Sequence, residues 1–291
     1  MTHLLQILFD GFGSGAGYVL VGLGFSMIFG VLGVLNVAQA DFYMVGAYVS
    51  YAVLTAVGAQ LVLGLATAAL TGLAIGVIFY LVVVRRIRQD QQLAIFVATL
   101  GLSMFLQNVV ARLAGPDQRP FPQLIAQRNY DAGGVILPRP TVVLIAATLA
   151  MAVALIVWLH RSRVGSEVRA VAQSRFLAAA IGIDVRRTMI IAVVISCVVA
   201  TTGGMLIGNS LSTITPFIAT NLGLKMFIVV LVAGAGSVAG VIVVGFGLGI
   251  AESFTVAYIS SQWQDMAGLV ALVLVLLLRP EGVFGQRARV G

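Results

Sequence analysis

Residues 61–84 run for 24 positions without a single Asp, Glu, Lys or Arg. At 1.5 Å of rise per residue, a helix of that length matches the roughly 30 Å hydrocarbon core of a bilayer. Comparable runs follow one another along the chain, and the charged residues gather in short clusters between them. Only 9% of the residues are charged and 60% are hydrophobic, whereas a water-soluble domain carries about 25% charged residues. A soluble globule is excluded. The runs are continuously apolar and do not alternate, which argues against a β-barrel. The fold class is an all-α polytopic membrane protein.

Nine segments are candidate spans: 15–35, 42–57, 61–84, 93–113, 141–160, 188–208, 222–234, 238–258 and 266–278. The segment 222–234 is too short to cross fully, so the count is eight or nine. Basic loops set the orientation. Arg85, Arg86 and Arg88 form one cluster, Arg161, Arg163, Arg169, Arg175, Arg186 and Arg187 a second, and Arg279, Arg287 and Arg289 a third. All three lie on the cytoplasmic side only if the short segment counts as a crossing. The N-terminus is then periplasmic, the C-terminus cytoplasmic, and the 115–140 loop external. The whole of 1–291 reads as a single transmembrane domain, with 161–187 as its largest cytoplasmic segment.

Of the 17 basic residues all but one, Lys225, are Arg, mostly flanking apolar runs. The net charge of +7 is therefore a topology signal, and no nucleic-acid partner is expected. Gly11/Gly15, Gly72/Gly76, Gly236/Gly240 and Gly245/Gly249 have the spacing that puts two glycines on one helix face. The single cysteine, Cys197, lies within an apolar run and reads as a small buried hydrophobe. The first apolar stretch continues into a full span, so no removable signal peptide is expected.

Catalytic constellations are missing from the sequence. His3 and His160 lie near span ends, no His, Cys and carboxylate cluster has metal-ligand spacing, and no G-x-x-x-x-G-K-[ST] or G-x-S-x-G motif occurs. No enzyme activity, metal or cofactor is expected. With no large soluble head, the chain must borrow any ATPase or binding domain from partners.

The segment 163–187 reads as helix through 167–180, with Gly182 as its terminator. Val168, Val171, Ala172, Phe176 and Ala179 can share one side of it, as in a membrane-surface helix or a docking helix. Within it, G-x-x-x-R-A-x-A-Q at 165–173, followed by Ala178 and Gly182-Ile183, resembles the coupling segment of bacterial ABC importer permeases of the LivH-type, branched-chain amino-acid branch. Four further stretches agree, in order: I-F-G-V-L-G-V-L-N-V-A-Q-A-D-F-Y-M-V-G-A-Y at 28–48, A-T-L-G-L-S-M-F-L-Q-N at 98–108, G-L-K-M-F-I-V-V-L-V-A-G-A-G-S-V-A-G at 223–240, and R-P-E-G-V-F-G at 279–285. The chain departs from the family's usual His-Gly at Gln39-Ala40 and from its usual double Gly at Ala233-Gly234.

The resemblance implies a permease subunit that works by alternating access in the bacterial inner membrane. Its expected partners are a second, related LivM-like permease subunit, two cytoplasmic ATPase subunits and a periplasmic substrate-binding protein, all within membrane lipid. It implies coupling to the ATPase through Gly165, Glu167, Arg169, Ala170, Ala178 and Gly182. Branched-chain or other aliphatic amino acids are the expected cargo. Urea or amides are an alternative, and an ion-coupled secondary transporter or a purely structural membrane subunit are readings of other classes.

Polar groups inside spans are costly and mark function. Asn36, Gln39 and Asp41 interrupt the chain between the first two spans, either as a bare loop or as a broken helix lining a cavity. With Gly46, Lys225, Gly234, Gly236 and Glu252 they form the candidate pathway set. Lys225 reads as snorkelling to the outer interface, and a pairing with Glu252 is the other option. A second break at 209–221, containing Pro216, matches the first in an inverted repeat.

Overall fold

The computed structural model describes residues 2–87, 91–125, 129–131, 134–234, 236–279 and 281–285; Arg88, Arg287 and Arg289 lie outside them. In chain order the elements are α1 (Thr2–Leu32), α2 (Gln39–Val57), α3 (Leu61–Phe79) continued by a π-helical turn (Tyr80–Val84), and α4 (Gln92–Ala114). The short strands β1 (Arg119–Pro120), β2 (Asn129–Asp131) and β3 (Ile136–Pro138) then lead into α5 (Arg139–Arg161), α6 (Arg163–Gln173) and α7 (Arg175–Ala180). The second half holds α8 (Val185–Leu211), β4 (Thr213–Ile214), α9 (Ile218–Ala233), α10 (Val238–Tyr258) and, after a 3₁₀ turn, α11 (Gln264–Leu278).

Eight segments are long and apolar enough to cross a membrane, the last being α11 together with its preceding 3₁₀ turn (Ser261–Leu278, 18 residues). Helix α9 has 16 residues, about 24 Å, and falls short of the roughly 30 Å core. Helix α1 begins at Thr2, thirteen residues before the expected start of the first span at Gly15. Its early polar residues do not stop it, because Gln6 and Asp10 hydrogen-bond to each other one turn apart. Helix starts follow local chemistry: Ser162, Ser174, Asp184 and Ser237 each accept a backbone N–H from the first turn of α6, α7, α8 and α10.

From Gly15 onward α1 is almost entirely buried, as is most of α8, whereas α4 and α11 are largely exposed. Glycine sets how closely the inner helices pack. A Cβ at Gly11 would lie 2.7 Å from Ile250 Cα, one at Gly15 2.8 Å from Phe246 Cα, and one at Gly249 2.6 Å from Gly15 Cα. Helices α1 and α10 therefore run antiparallel in backbone contact. Helix α3 meets α8 in the same way, with Gly72 against Val198 and Gly76 against Val194. Three of the four glycine pairs thus lie at helix crossings; Gly236/Gly240 instead straddles the turn before α10, so it forms no single helix face.

The packing has a two-fold logic. Helix α1 lies along α10 as α8 lies along α3, and α9 leans on α1 as α2 leans on α8. The first two pairs are antiparallel and the last two run in the same direction. Exchanging α1–α4 for α8–α11 preserves these neighbours with the bundle ends swapped, as an inverted repeat requires. One end carries the start of α1, where Ile136 N donates to Gln6 Oε1 at 2.9 Å, and the β1–β4 pairing. At the other end, Phe284 N donates to Ala233 O at 3.0 Å and the C-terminal segment caps α9. Among the described residues, nine arginines (85, 86, 161, 163, 169, 175, 186, 187 and 279) belong to segments at this second end; Arg112, Arg119 and Arg139 belong to the first.

These crossings make a sharp prediction. Gly249→Ala drives a methyl onto the α1 backbone, which cannot yield, and should destabilise the protein by roughly 2 kcal/mol or more. Gly247→Ala, two residues away with nothing within 4 Å of its Cβ position, should be neutral or slightly stabilising. Thermal unfolding in detergent measures both; equal melting temperatures for the two variants would contradict the crossing.

Candidate functional site

The first break is a broken helix, not a surface loop. Helix α1 ends at Leu32, and Gly33 adopts φ +67°, a left-handed conformation that favours glycine. The chain then turns back, and Gln39 at the start of α2 lies against Gly24 and Ser196. Gly24 is eight residues from the end of α1, about 12 Å inside it. Asn36, Gln39 and Asp41 are all buried. Asn36 Nδ2 donates to Gln39 Oε1 at 3.3 Å, and Gln39 Nε2 donates to Ser196 Oγ at 3.0 Å. Ser196 in turn donates to the carbonyl of Gly24.

On its other side the break meets α4. Val37 N donates to Thr99 Oγ1 at 3.3 Å, and Gln107 Nε2 donates to Asp41 Oδ1 at 2.8 Å and to Ser103 Oγ at 3.3 Å. Thr99, Ser103 and Gln107 recur every four residues, so they form one polar stripe on α4. They were missed as site residues, although their spacing in an apolar span was the available signal. Among the described residues Asn36 Oδ1 and Asp41 Oδ2 have no hydrogen-bond partner. Gly46 is a packing position: its missing side chain lets α2 rest on the backbone of Thr201.

The second cluster contains the only lysine. Lys225 on α9 does not snorkel. Its ammonium is buried, pairs with Glu252 Oε1 on α10 and lies 2.8 Å from Asp265 Oδ1 on α11. Tyr18 OH donates to Glu252 Oε2 at 2.6 Å, and Gln264 Nε2 donates to the same oxygen at 3.2 Å. The ammonium also sits 5.6 Å from the centre of the Tyr18 ring. Two carboxylates within reach replace the water that snorkelling would have sought. Asp265 was not anticipated; its place in the first turn of α11 was the only sequence signal. Gly234 and Gly236 lie far from this pair, in the α9–α10 turn. Both have positive φ; Gly234 packs on Gly285, and a Cβ at Gly236 would lie 3.3 Å from Gly30 Cα.

A groove of about 1020 Å³ opens at the arginine-rich end between the end of α1, the start of α4 and the end of α9. Phe29, Leu35, Phe96 and Leu231 make it mostly apolar, with Gln91 and Gln92 at its rim. The segment 33–35 forms one wall, so the groove adjoins the first break.

At the same end, α6 and α7 form a helical elbow. Gly165 packs against the Trp158 carbonyl and Leu159 at the end of α5, and Glu167 accepts from Thr188 Oγ1 at 3.5 Å. Arg169 is exposed, Ala170 half-buried and Ala178 buried. Gly182, at φ +86°, closes α7, with Ile183 N donating to Ala178 O and Gly182 N to Ala179 O, each at 3.0 Å. The continuous helix expected over 167–180 is broken at Ser174, whose side chain caps α7. The break changes the helical phase. Val168 and Val171 face the bundle, but Phe176 is 82% exposed, and Leu177 and Ile181 are exposed as well. The single apolar side expected for Val168, Val171, Ala172, Phe176 and Ala179 is therefore not formed.

Lys225→Met should cost about 3–5 kcal/mol by leaving Glu252 buried without its counter-charge. Adding Glu252→Gln should recover most of that loss, and Asp265→Asn alone should cost much less, since Asp265 is largely exposed. Thermal unfolding of the four proteins tests this; a double variant no more stable than Lys225→Met would refute the pairing.

Residues 7–278 match the family described as "Branched-chain amino acid transport system / permease component". The chain is 31% identical to the high-affinity branched-chain amino acid transport system permease protein LivH of Salmonella typhimurium, over 98% of this chain and 96% of that protein. LivH of Escherichia coli K12 is also 31% identical with the same coverage. BraD of Pseudomonas aeruginosa is 28% identical, again over 98% and 96%. With eight membrane-crossing segments and this near-complete match, the protein is a multi-pass inner-membrane permease subunit of an ABC importer, and ATP is hydrolysed in separate subunits. The chain belongs to the family of permease components of branched-chain amino acid transport systems.

Proposed function

We propose that this permease carries branched-chain or other aliphatic amino acids by alternating access, together with a second, related LivM-like permease subunit. The apolar groove beside the 33–41 break is this subunit's wall of the pathway, and Asn36, Gln39 and Asp41 supply its polar groups. Apolar walls suit aliphatic side chains; a buried amide and carboxylate suit the polar end of an amino acid. The arginine-rich end is cytoplasmic by the positive-inside rule. That places the N-terminus and the 115–140 loop in the periplasm, where a substrate-binding protein delivers cargo, and the C-terminus inside.

The observation that carries the reading is the α6–α7 elbow. It presents Phe176, Leu177 and Ile181 as exposed apolar side chains at the arginine-rich end, beyond the ends of the spans. An apolar knob facing the cytoplasm is an expensive surface unless a partner covers it. An ATPase subunit is that partner, and closure of the two ATPase subunits moves the knob. Gly165, Glu167, Ala170 and Ala178 fix the elbow to the bundle, Arg169 faces the partner, and Gly182 sets the exit angle.

Reconstitution with the ATPase subunits, the second permease and the binding protein tests the proposal: uptake of leucine should require ATP. Uptake that proceeds without ATP on an ion gradient alone would overturn it. Arg169→Glu reverses a charge at the contact, and Gly182→Pro cannot adopt φ +86°. Both should leave the protein in the membrane and uncouple ATP hydrolysis from uptake; normal uptake in both would remove the elbow from the mechanism.

A further inference from the structure

Between the elbow and the first break lies one charged side chain that the family motifs did not single out. Arg175 is the first residue of α7, directly after the capping Ser174 and directly before Phe176 and Leu177. Its Nη2 donates to the carbonyls of Val31 at 2.8 Å and Leu32 at 2.6 Å. These are the last two residues of α1, whose carbonyls have no partner further along the helix. A guanidinium there also meets the negative end of the helix dipole. Charge-assisted bonds of this length are among the stronger ones a protein makes.

The position matters more than the strength. One residue beyond Leu32 stands Gly33 at φ +67°. From there the chain passes Asn36 and reaches Gln39, which is bonded to Ser196. The side chain therefore spans 143 positions of sequence to hold the lip of the break from the base of the knob. Helix α7 has only six residues, so a displacement of Phe176 and Leu177 moves Arg175 with them. A small cleft lined by Met27, Val31, Val168 and Ala172 separates α6 from the end of α1. Across that cleft α6 meets the end of α1 through apolar side chains, whereas Arg175 bonds directly to its terminal carbonyls.

We infer that Arg175 is the positioning residue that transmits displacement of the α7 knob to the end of α1, and so to the 33–38 break. This rests on the reading that the elbow docks on an ATPase subunit. Displacing α7 pulls on the Val31 and Leu32 carbonyls, and the hinge at Gly33 converts the pull into a change of the break.

The test uses the complete reconstituted transporter with Arg175→Ala and Arg175→Lys, and reads three quantities: ATPase subunits retained on the permease, ATP hydrolysed, and leucine taken up. Arg175→Ala should retain the ATPase subunits and hydrolyse ATP while uptake per ATP falls about tenfold, an ordinary size for a coupling between sites. Arg175→Lys, which keeps the charge and can still donate to both carbonyls, should restore most of that ratio. An unchanged ratio in Arg175→Ala overturns the inference. So does parallel loss of ATPase binding and uptake, which would make Arg175 a docking residue, and so does failure of lysine to rescue. If Arg175→Ala does not reach the membrane, Arg175→Gln carries the same ratio test. A wild-type permease that binds no ATPase subunit would defeat the docking reading itself, and this inference with it.

Discussion

Two helix backbones can touch in a bilayer only where side chains are absent, and the inner bundle is built on such contacts. Lipid gives helices no hydrophobic reason to associate, so close van der Waals contact between them must supply the attraction. Gly11, Gly15 and Gly249 bring α1 and α10 together, and Gly72 and Gly76 bring α3 onto α8. These two seams bury α1 and α8 and leave α4 and α11 at the periphery. Because the seams are related by exchange of halves, each half supplies one long pillar, one seam partner for the other half's pillar and one outer helix.

The pillars also explain where irregular backbone is tolerated. Backbone that leaves a helix inside a membrane needs partners from the protein. At the first break Thr99 Oγ1 accepts from Val37 N, and Asn36, Gln39 and Ser196 bond in series to the Gly24 carbonyl, so α1, α2, α4 and α8 all meet there. Swapping the halves sends those helices, α1, α2, α4 and α8, to α8, α9, α11 and α1. The observed second cluster ties α1, α9, α10 and α11 through Tyr18, Lys225, Glu252, Asp265 and Gln264. The swap thus matches three of the four helices, with α10 in place of α8, and the chemistry differs: uncharged hydrogen bonds with one carboxylate in the first half, an ion cluster in the second. An ion cluster of this kind resists rearrangement more than amide bonds do, since separating buried charges is costly. The first break is also the one that the arginine-rich end reaches.

The two bundle ends differ. The opposite end carries the β1–β4 pairing and Phe121, which is buried against Gly208. The arginine-rich end carries an open groove, an exposed apolar knob and a side chain joining the knob to the break.

Sequence by itself determined the membrane class, most spans to within a few residues, a count of eight or nine with one segment too short to cross fully, and the resemblance to the family. These depend on local composition and on motifs that are contiguous in the chain. Burial of Asn36, Gln39 and Asp41 as a broken helix was one of two open readings, because loop and break have the same composition. Only tertiary structure decided that Lys225 is paired, since Glu252 and Asp265 come from other helices. It also decided that Gly46 packs while Thr99, Ser103 and Gln107 face the break. The rotation of Phe176 away from Val168 came from one capping serine, a local event whose weight depends on what the neighbouring helices leave room for. Periodicity places a residue on a face of its own helix; only packing decides what that face meets.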